Sequence, residues 1–485
     1  MGTNYTTMRR LLLISLLLLS PLMAAALPVS PALSTPGLKN SAAKKPTGYK
    51  FTVQIDGCQD SLMLLGYYKA QHIYVCDTAL NNGHGRFIFQ SDRELEPGLY
   101  YFSNDKDRVL DFIIYHERPN FKFHTDQRDW KRNISVSGSR QNTLFFNFNR
   151  STERVYEDIE NARHDMDSAQ YEEFRRQQYR RIDTLRLEFI SQHPDAMLSK
   201  MMMATKDPAL PPDSLEGNER YFHFMHHYFD NIPLDDDFII RTPKAVFYNR
   251  YNEYVEKHMR GLTPELIIPL LDTLLDRSEP APEVFRWLLI NLTERYLQSN
   301  IMVYDEVYVH LVQRYFATGK AAWLSPSVVD QQIERATKWD RLLVGREAPE
   351  LILFDTMRHV RSLHHMPGHY TLLLFWSPTC GHCREIIPAI YNVFDRVADS
   401  LDMTAFAILS EPDETTVEKW KKFLVDHHID NPRWVNLNGG EANIDWREVY
   451  DIQTTPQIYL IDNKTHKFLA KKLGADLLET ICKQL

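Results

Sequence analysis

Apolar and polar positions alternate in short runs over the first folded stretch of the chain. Residues 51–55 and 86–90 alternate, and 62–68, 73–75, 99–102, 112–115 and 121–123 are short apolar runs around them. Asn81-Asn82-Gly83 and Pro97-Gly98 supply turn signals. Short strands at this close spacing predict an all-β, sandwich-like domain over residues 48–148. The period then changes. Residues 153–186 are charged, with widely spaced apolar positions, the pattern of an exposed helix laced with i,i+4 pairs. Residues 265–275 and 284–297 read as more buried helices, and Pro211-Pro212 and Pro280-Ala281-Pro282 mark breaks. These signals predict an all-α domain over 149–342. From 343 to 485 strand and helix alternate: an apolar run of buried-strand length at 370–376, further strands at 403–409, 457–461 and 467–473, and helical spacing at 383–397, 418–428 and 475–485. Alternation of this kind predicts an α/β sheet.

The N-terminus carries a different pattern. Arg9 and Arg10 precede a nearly pure Leu run, followed by Pro21 and Ala24-Ala25-Ala26. A basic start, a short apolar stretch and a small-residue site predict a secretory signal peptide over 1–26, cleaved after Ala26. The apolar stretch is interrupted by Pro21 and falls short of the ~20 residues needed to span a bilayer. Residues 27–47, rich in Pro, Ser, Ala and Lys, read as a flexible linker. The chain is therefore expected in the periplasm or cell envelope, without a transmembrane segment in its mature form. With 56 basic and 64 acidic residues the net charge is −8, which gives no reason to expect a nucleic-acid partner. Five cysteines are too few for a disulfide scaffold.

Two of those cysteines carry the chemistry. Cys380-Gly381-His382-Cys383 follows the apolar run 370–376 and opens a helical stretch, the context a redox motif requires. A thiolate at a helix N-terminus meets unpaired N–H groups and the positive end of the helix dipole, and both lower its pKa. Cys380 is then the attacking nucleophile and Cys383, one turn inward, the resolving thiol. His382, between them, is expected to tune the pKa of the pair. A zinc site would need two further ligands at defined spacing, and no second C-x-x-C or H-x₃₋₅-H stands nearby, so no metal and no dissociable cofactor are expected. Thr454-Thr455-Pro456 precedes the strand at 457–461; a proline there leaves the preceding backbone outside the ladder.

Taken together, Ala348-Pro349, Phe375-Trp376, the Cys380–Cys383 motif, Pro388 and Thr455-Pro456 make the C-terminal stretch resemble the thioredoxin superfamily in its TlpA-like exported branch. The resemblance implies a thioredoxin-like fold, a cis Pro456 packed against the cysteines, and Thr455 offering its backbone to the substrate chain. It places Trp376 beside the substrate groove. The Gly-His dipeptide is similar to that of protein disulfide isomerase, which implies a potential nearer about −180 mV than about −270 mV. Two positions depart from the pattern. Leu374 stands where thioredoxins carry a buried Asp, and Ile386 where TlpA-like proteins often carry a Glu; Glu385 is one residue earlier. The β-domain resembles the small uncharacterised domain preceding TlpA-like modules in exported Bacteroidetes-type proteins. The helical domain resembles its companion, through 227–232, Arg241-Thr242-Pro243 and 307–311.

Other candidates read more simply. Cys58 and Cys76 form either a structural disulfide across paired strands or two half-buried thiols. Cys482 reads as a core residue of the last helix. His223 and His227 stand at i, i+4 with Asp230 nearby, but the surrounding aromatics favour a packed core edge over a metal site. Met201-Met202-Met203 reads as core filler, and the 153–186 charges as a solvated face. A peroxidase would need P-x-x-x-T-x-x-C, whereas Pro378-Thr379-Cys380 are consecutive. The sequence thus predicts an exported thiol–disulfide oxidoreductase. Its partners would be cysteine-containing envelope proteins and an upstream dithiol or disulfide donor. The alternative is an envelope binding or assembly protein in which the thioredoxin-like domain is a minor arm.

Overall fold

The computed structural model describes residues 48–104 and 109–485. The expected signal peptide and linker lie outside the described residues. The described residues divide into two compact units, one running up to Gly261 with Asp272–Trp287, the other Leu262–Leu271 with Leu288–Leu485.

Among the described residues of the first unit, eight strands form two four-stranded sheets. They are β1 (Tyr49–Asp56), β2 (Leu62–Lys69), β3 (His72–Leu80), β4 (Arg86–Ser91), β5 (Gly98–Ser103), β6 (Val109–Ile114), β7 (Asn120–Asp126) and β8 (Ser135–Ser137). One sheet runs β4-β1-β7-β8 and the other β3-β2-β5-β6. The alternation in β1 becomes an alternation of burial: Tyr49, Phe51, Val53 and Ile55 are buried and the residues between them are not. Phe51, Phe102, Phe112 and Phe123 stack and cross edge-to-face in the core, with ring centroids from 4.4 to 6.5 Å apart.

The helical period starts earlier than expected. The helix Arg140–Ala162 begins inside the stretch read as β. Its Ser139 cap accepts from the Asn142 N–H. Its buried Asn142 side chain satisfies both backbone groups of Ile113 on the edge strand β6, each at 2.7 Å. A polar residue in the buried face of a helix is easily mistaken for a continuing loop. The charged stretch read as one helix is two. Asp167 caps a second helix, Ser168–Gln192, through a capping box with Gln170, and that local bond starts a new helix rather than prolonging the first.

In the second unit a seven-stranded sheet has the order β10-β9-β13-β12-β11-β14-β15. Its strands are β9 (Ile352–Asp355), β10 (Val360–Ser362), β11 (Tyr370–Trp376), β12 (Met403–Leu409), β13 (Trp434–Asn438), β14 (Gln457–Asp462) and β15 (Phe468–Lys471). The central strands β11, β12 and β13 are parallel, and β14 returns antiparallel beside β11. Every residue of β12 and all but the first of β11 are buried. Such strands read as unbroken apolar runs because both faces are covered. Leu372, Leu374 and Trp376 enter one core with the helix Gly381–Val397, while Leu373 and Phe375 enter the other. Among the described residues no helix is long and apolar enough to cross a membrane.

Candidate functional site

Three stretches converge at the C-terminal end of β11. They are the turn 377–380 that follows it, the loop after the neighbouring parallel strand β12, and Thr455-Pro456 before β14. Trp376 pairs with Leu409 and Phe375 with Gln457, so sheet register brings all three together. Open α/β sheets place their ligand sites at this end of the strands.

Cys380 is the extended N-cap of the helix Gly381–Val397, with φ −76° and ψ 122°. Its Sγ lies 3.3 Å from the Thr455 carbonyl oxygen, to which the thiol donates. The Thr455-Pro456 bond is cis, as the resemblance implied. Cys383 is wholly buried on the inner face of the helix, in register with Ile387 and Ile390, while Cys380 keeps partial exposure. Both are free thiols.

Their surroundings drive the two thiols apart. Burial pushes Cys380 up, but the backbone N–H groups of Cys383 and His382, the Cys383 thiol and Thr455 bind the thiolate and hold it below its usual range. Burial pushes Cys383 up to about 11, with the Ser377 backbone N–H opposing the rise. Iodoacetamide labelling of the reduced chain is expected to split accordingly. A lowered pKa supplies thiolate at lower pH, so at about pH 7.5 Cys380 should alkylate while Cys383 stays protected. Equal labelling of the two on peptide mass spectrometry would contradict this.

The sequence expectations fare unevenly. Thr455 and Pro456 lie beside Cys380. The His382 ring is exposed, and its backbone N–H is the group it turns on Cys380. Trp376 does not line a groove: it is 0% exposed, packed on Phe423 at 5.2 Å between ring centroids. As the last residue of a strand covered on both sides it faces the helix, not the substrate side. Leu374 is buried in the same core, Ile386 packs against it, and Glu385 is exposed.

A carboxylate that sequence reading missed stands at Glu411. It accepts from Ser377 Oγ at 2.9 Å and from Thr379 Oγ1 at 2.8 Å. These two hydroxyl bonds hold its carboxyl below the usual range, with Arg447 adding to the effect. Arg447 also donates to the Ser410 carbonyl. Glu411 therefore ties the turn that precedes the nucleophile to the end of β12. Its position just after the apolar run 403–409 was the available signal, but using it required the strand order. Glu411→Ala removes the acceptor that the Ser377 and Thr379 hydroxyls share and leaves the two hydroxyls to each other, 2.7 Å apart, at an expected cost of about 1–3 kcal/mol in urea unfolding. Unchanged stability would show the clamp to be incidental.

Elsewhere, Cys58 donates to Asp60 Oδ2 at 3.7 Å and Cys76 to the Leu65 carbonyl at 3.5 Å; both are free thiols rather than a disulfide. His227 pairs with Asp230 at 2.6 Å, and Asp230 also takes Arg277 at 3.1 Å. Cys482 is buried in the last helix.

Comparison with known proteins places these features. Residues 49–145 match a domain family of unknown function, DUF4369. The thioredoxin-like protein YneN of Bacillus subtilis is 26% identical over 120 residues, which are 25% of this chain and 66% of that protein. The match thus spans just under two thirds of that relative's length. The thiol-disulfide oxidoreductase YkuV of the same organism is 25% identical over 111 residues, 22% of this chain and 72% of that protein. A crystal structure of a thioredoxin-like protein from Bacteroides caccae aligns over 57% of this chain and 98% of its own, with 18% identity and a TM-score of 0.47. A parallel-centred sheet, a C-x-x-C at the start of the helix after its central strand and a cis-proline facing the thiols accompany these likenesses. The C-terminal part of the chain has a thioredoxin-like fold and is similar in sequence to thiol–disulfide oxidoreductases.

Proposed function

We propose that this chain is an exported thiol–disulfide oxidoreductase of TlpA-like type that exchanges disulfides with cysteine-containing envelope proteins. The observation that carries the reading is the opposed pair of thiols: Cys380 part-exposed and acidified, Cys383 buried and pushed up to about 11. Residues 343–485 supply the chemistry, the β-rich stretch before Arg140 and the helices that follow it form a Bacteroidetes-type layout, and residues 1–26 direct export to the periplasm or envelope.

In the reductive direction the Cys380 thiolate attacks one sulfur of a substrate disulfide. A mixed disulfide forms and the substrate's other sulfur leaves as thiolate. Cys383 then loses its proton and attacks Cys380 Sγ. The substrate departs as a dithiol and the domain is left with a Cys380–Cys383 disulfide, two electrons having passed to the substrate. An upstream dithiol protein restores the pair. His382 tunes Cys380 through its N–H, and Thr455 and Pro456 line the place where the substrate chain lies.

Cys383→Ala is the test. It keeps the attack and removes the resolving thiol, so mixed disulfides with envelope proteins should accumulate on Cys380 and dissolve in dithiothreitol. Absence of such adducts, with Cys380 reactive, would refute envelope proteins as substrates. A binding role for the N-terminal unit is favoured by one observation, its cavity of about 430 Å³.

A further inference from the structure

The first unit holds a cavity that disulfide exchange does not use. It opens between the sheet β3-β2-β5-β6 and the helices that follow it. Its volume, about 430 Å³, is in the range of small-molecule sites. The walls are apolar: Leu99 and Leu110 from the strands, Phe146 and Phe148 from Arg140–Ala162, Ile190 from Ser168–Gln192, and Met202 from the helix Met197–Ala204. Met201 and Met202, two of the three methionines read from the sequence as core filler, thus line an opening, where their flexible thioethers can adapt to a guest.

Among the polar groups of the lining, two acceptors carry the argument. Asp111, on β6, takes the Tyr68 hydroxyl on Oδ1 at 2.9 Å. Burial pushes its carboxyl up to about 6, with Tyr68 and Lys131 pulling it down. The second acceptor is Asn149 Oδ1, buried with no hydrogen-bond partner among the described residues. A buried acceptor without a donor is costly, and so is a carboxylate in apolar surroundings. The cationic residues of the lining are placed differently. Lys131 and Lys206 are exposed, Lys131 near enough to act on Asp111, and Arg186 is paired with Asp183 at 3.3 Å. The interior therefore offers hydrogen-bond acceptors, negative charge and aromatic faces, all of which suit a cation.

We propose that this cavity binds an amphipathic amine, a small molecule whose alkyl or aryl body fills the apolar walls and whose protonated amino group is set against Asp111 and Asn149. The site is independent of the cysteine pair and stands or falls without it.

Calorimetric titration of the purified chain at neutral pH tests it, with n-octylammonium, n-octanol and octanoate as probes. Octylammonium should bind saturably, and octanoate at least roughly tenfold more weakly, since a charged hydrogen-bonded partner is replaced by a like charge. Asp111→Asn should weaken octylammonium by a similar factor and leave octanol unchanged. Met202→Trp should fill the cavity and abolish binding of all three probes; its thermal unfolding is measured alongside, and Leu187→Trp is a second filling variant should the first fail to fold. No saturable binding by any probe, octanoate binding as tightly as octylammonium, or filled variants that still bind would each overturn the proposal.

Discussion

Cys380→Ala is expected to abolish disulfide exchange, lowering the rate by at least roughly a thousandfold, because no other group at the site can form the mixed disulfide. Cys383 is wholly buried, and burial keeps its thiol protonated until about pH 11, so it cannot take over the attack. The fold should be untouched. Cys380 is part-exposed, its side-chain hydrogen bond is one thiol donor to a carbonyl, and alanine is an adequate extended N-cap for a helix held by its buried face. Insulin reduction with dithiothreitol as the electron source, together with thermal unfolding, reads both halves. Residual exchange within tenfold of the parent would remove Cys380 from the nucleophile's role. The variant also separates the two readings of the whole chain. An envelope phenotype unchanged by Cys380→Ala would favour the binding or assembly role.

The second large effect falls on stability. Asp305, at the start of the helix Asp305–Leu311, is 1% exposed and bridges two cations of the second unit. Lys471 and Lys472 reach its two carboxylate oxygens at 2.6 Å each. Lys471 also donates to the Leu342 carbonyl at 3.1 Å and Lys472 to the Ser299 carbonyl at 2.8 Å. Lys471 sits at the end of β15, two strands from β11. Burial holds its pKa below the usual range, with Asp305 pulling the other way. Asp305→Ala strips a buried ammonium of its counter-charge and is expected to cost about 3–5 kcal/mol in urea unfolding. The pair itself is not what the unit needs. Asp305→Leu combined with Lys471→Met should recover much of the loss, because it removes the buried ammonium together with its counter-charge and leaves the part-exposed Lys472 its bond to the Ser299 carbonyl. A single-variant loss below about 1 kcal/mol would mean that water reaches the site.

How much of this was legible beforehand depended on whether a signal was local. β11, β12 and β14 showed as apolar runs because a strand buried on both faces has no polar alternation to hide it. The Cys380–Cys383 pair and Thr455-Pro456 were legible because spacing and context alone mark them. β13 was missed: Trp434–Asn438 carries two asparagines, one of them at the C-terminal edge of the sheet, and its short pattern competes with turn chemistry. The break between Ala162 and Ser168 hid inside a charged run whose composition favours helix throughout. Trp376 was expected beside the groove from the family resemblance, whereas its place at the end of a strand covered on both faces puts it in the core under the helix. Glu411 and Asp111 owe their settings to partners 34 and 43 residues away, which no local pattern reports.

Whether the domain is a working redox couple is decided by the reduction potential of the Cys380–Cys383 pair. The chain is equilibrated across a series of glutathione buffers, quenched by alkylation and analysed by mass spectrometry. The account predicts a reversible two-electron couple between about −270 and about −180 mV, nearer the oxidising end because the motif carries Gly-His. A pair that stays dithiol or stays disulfide at every poise would contradict it.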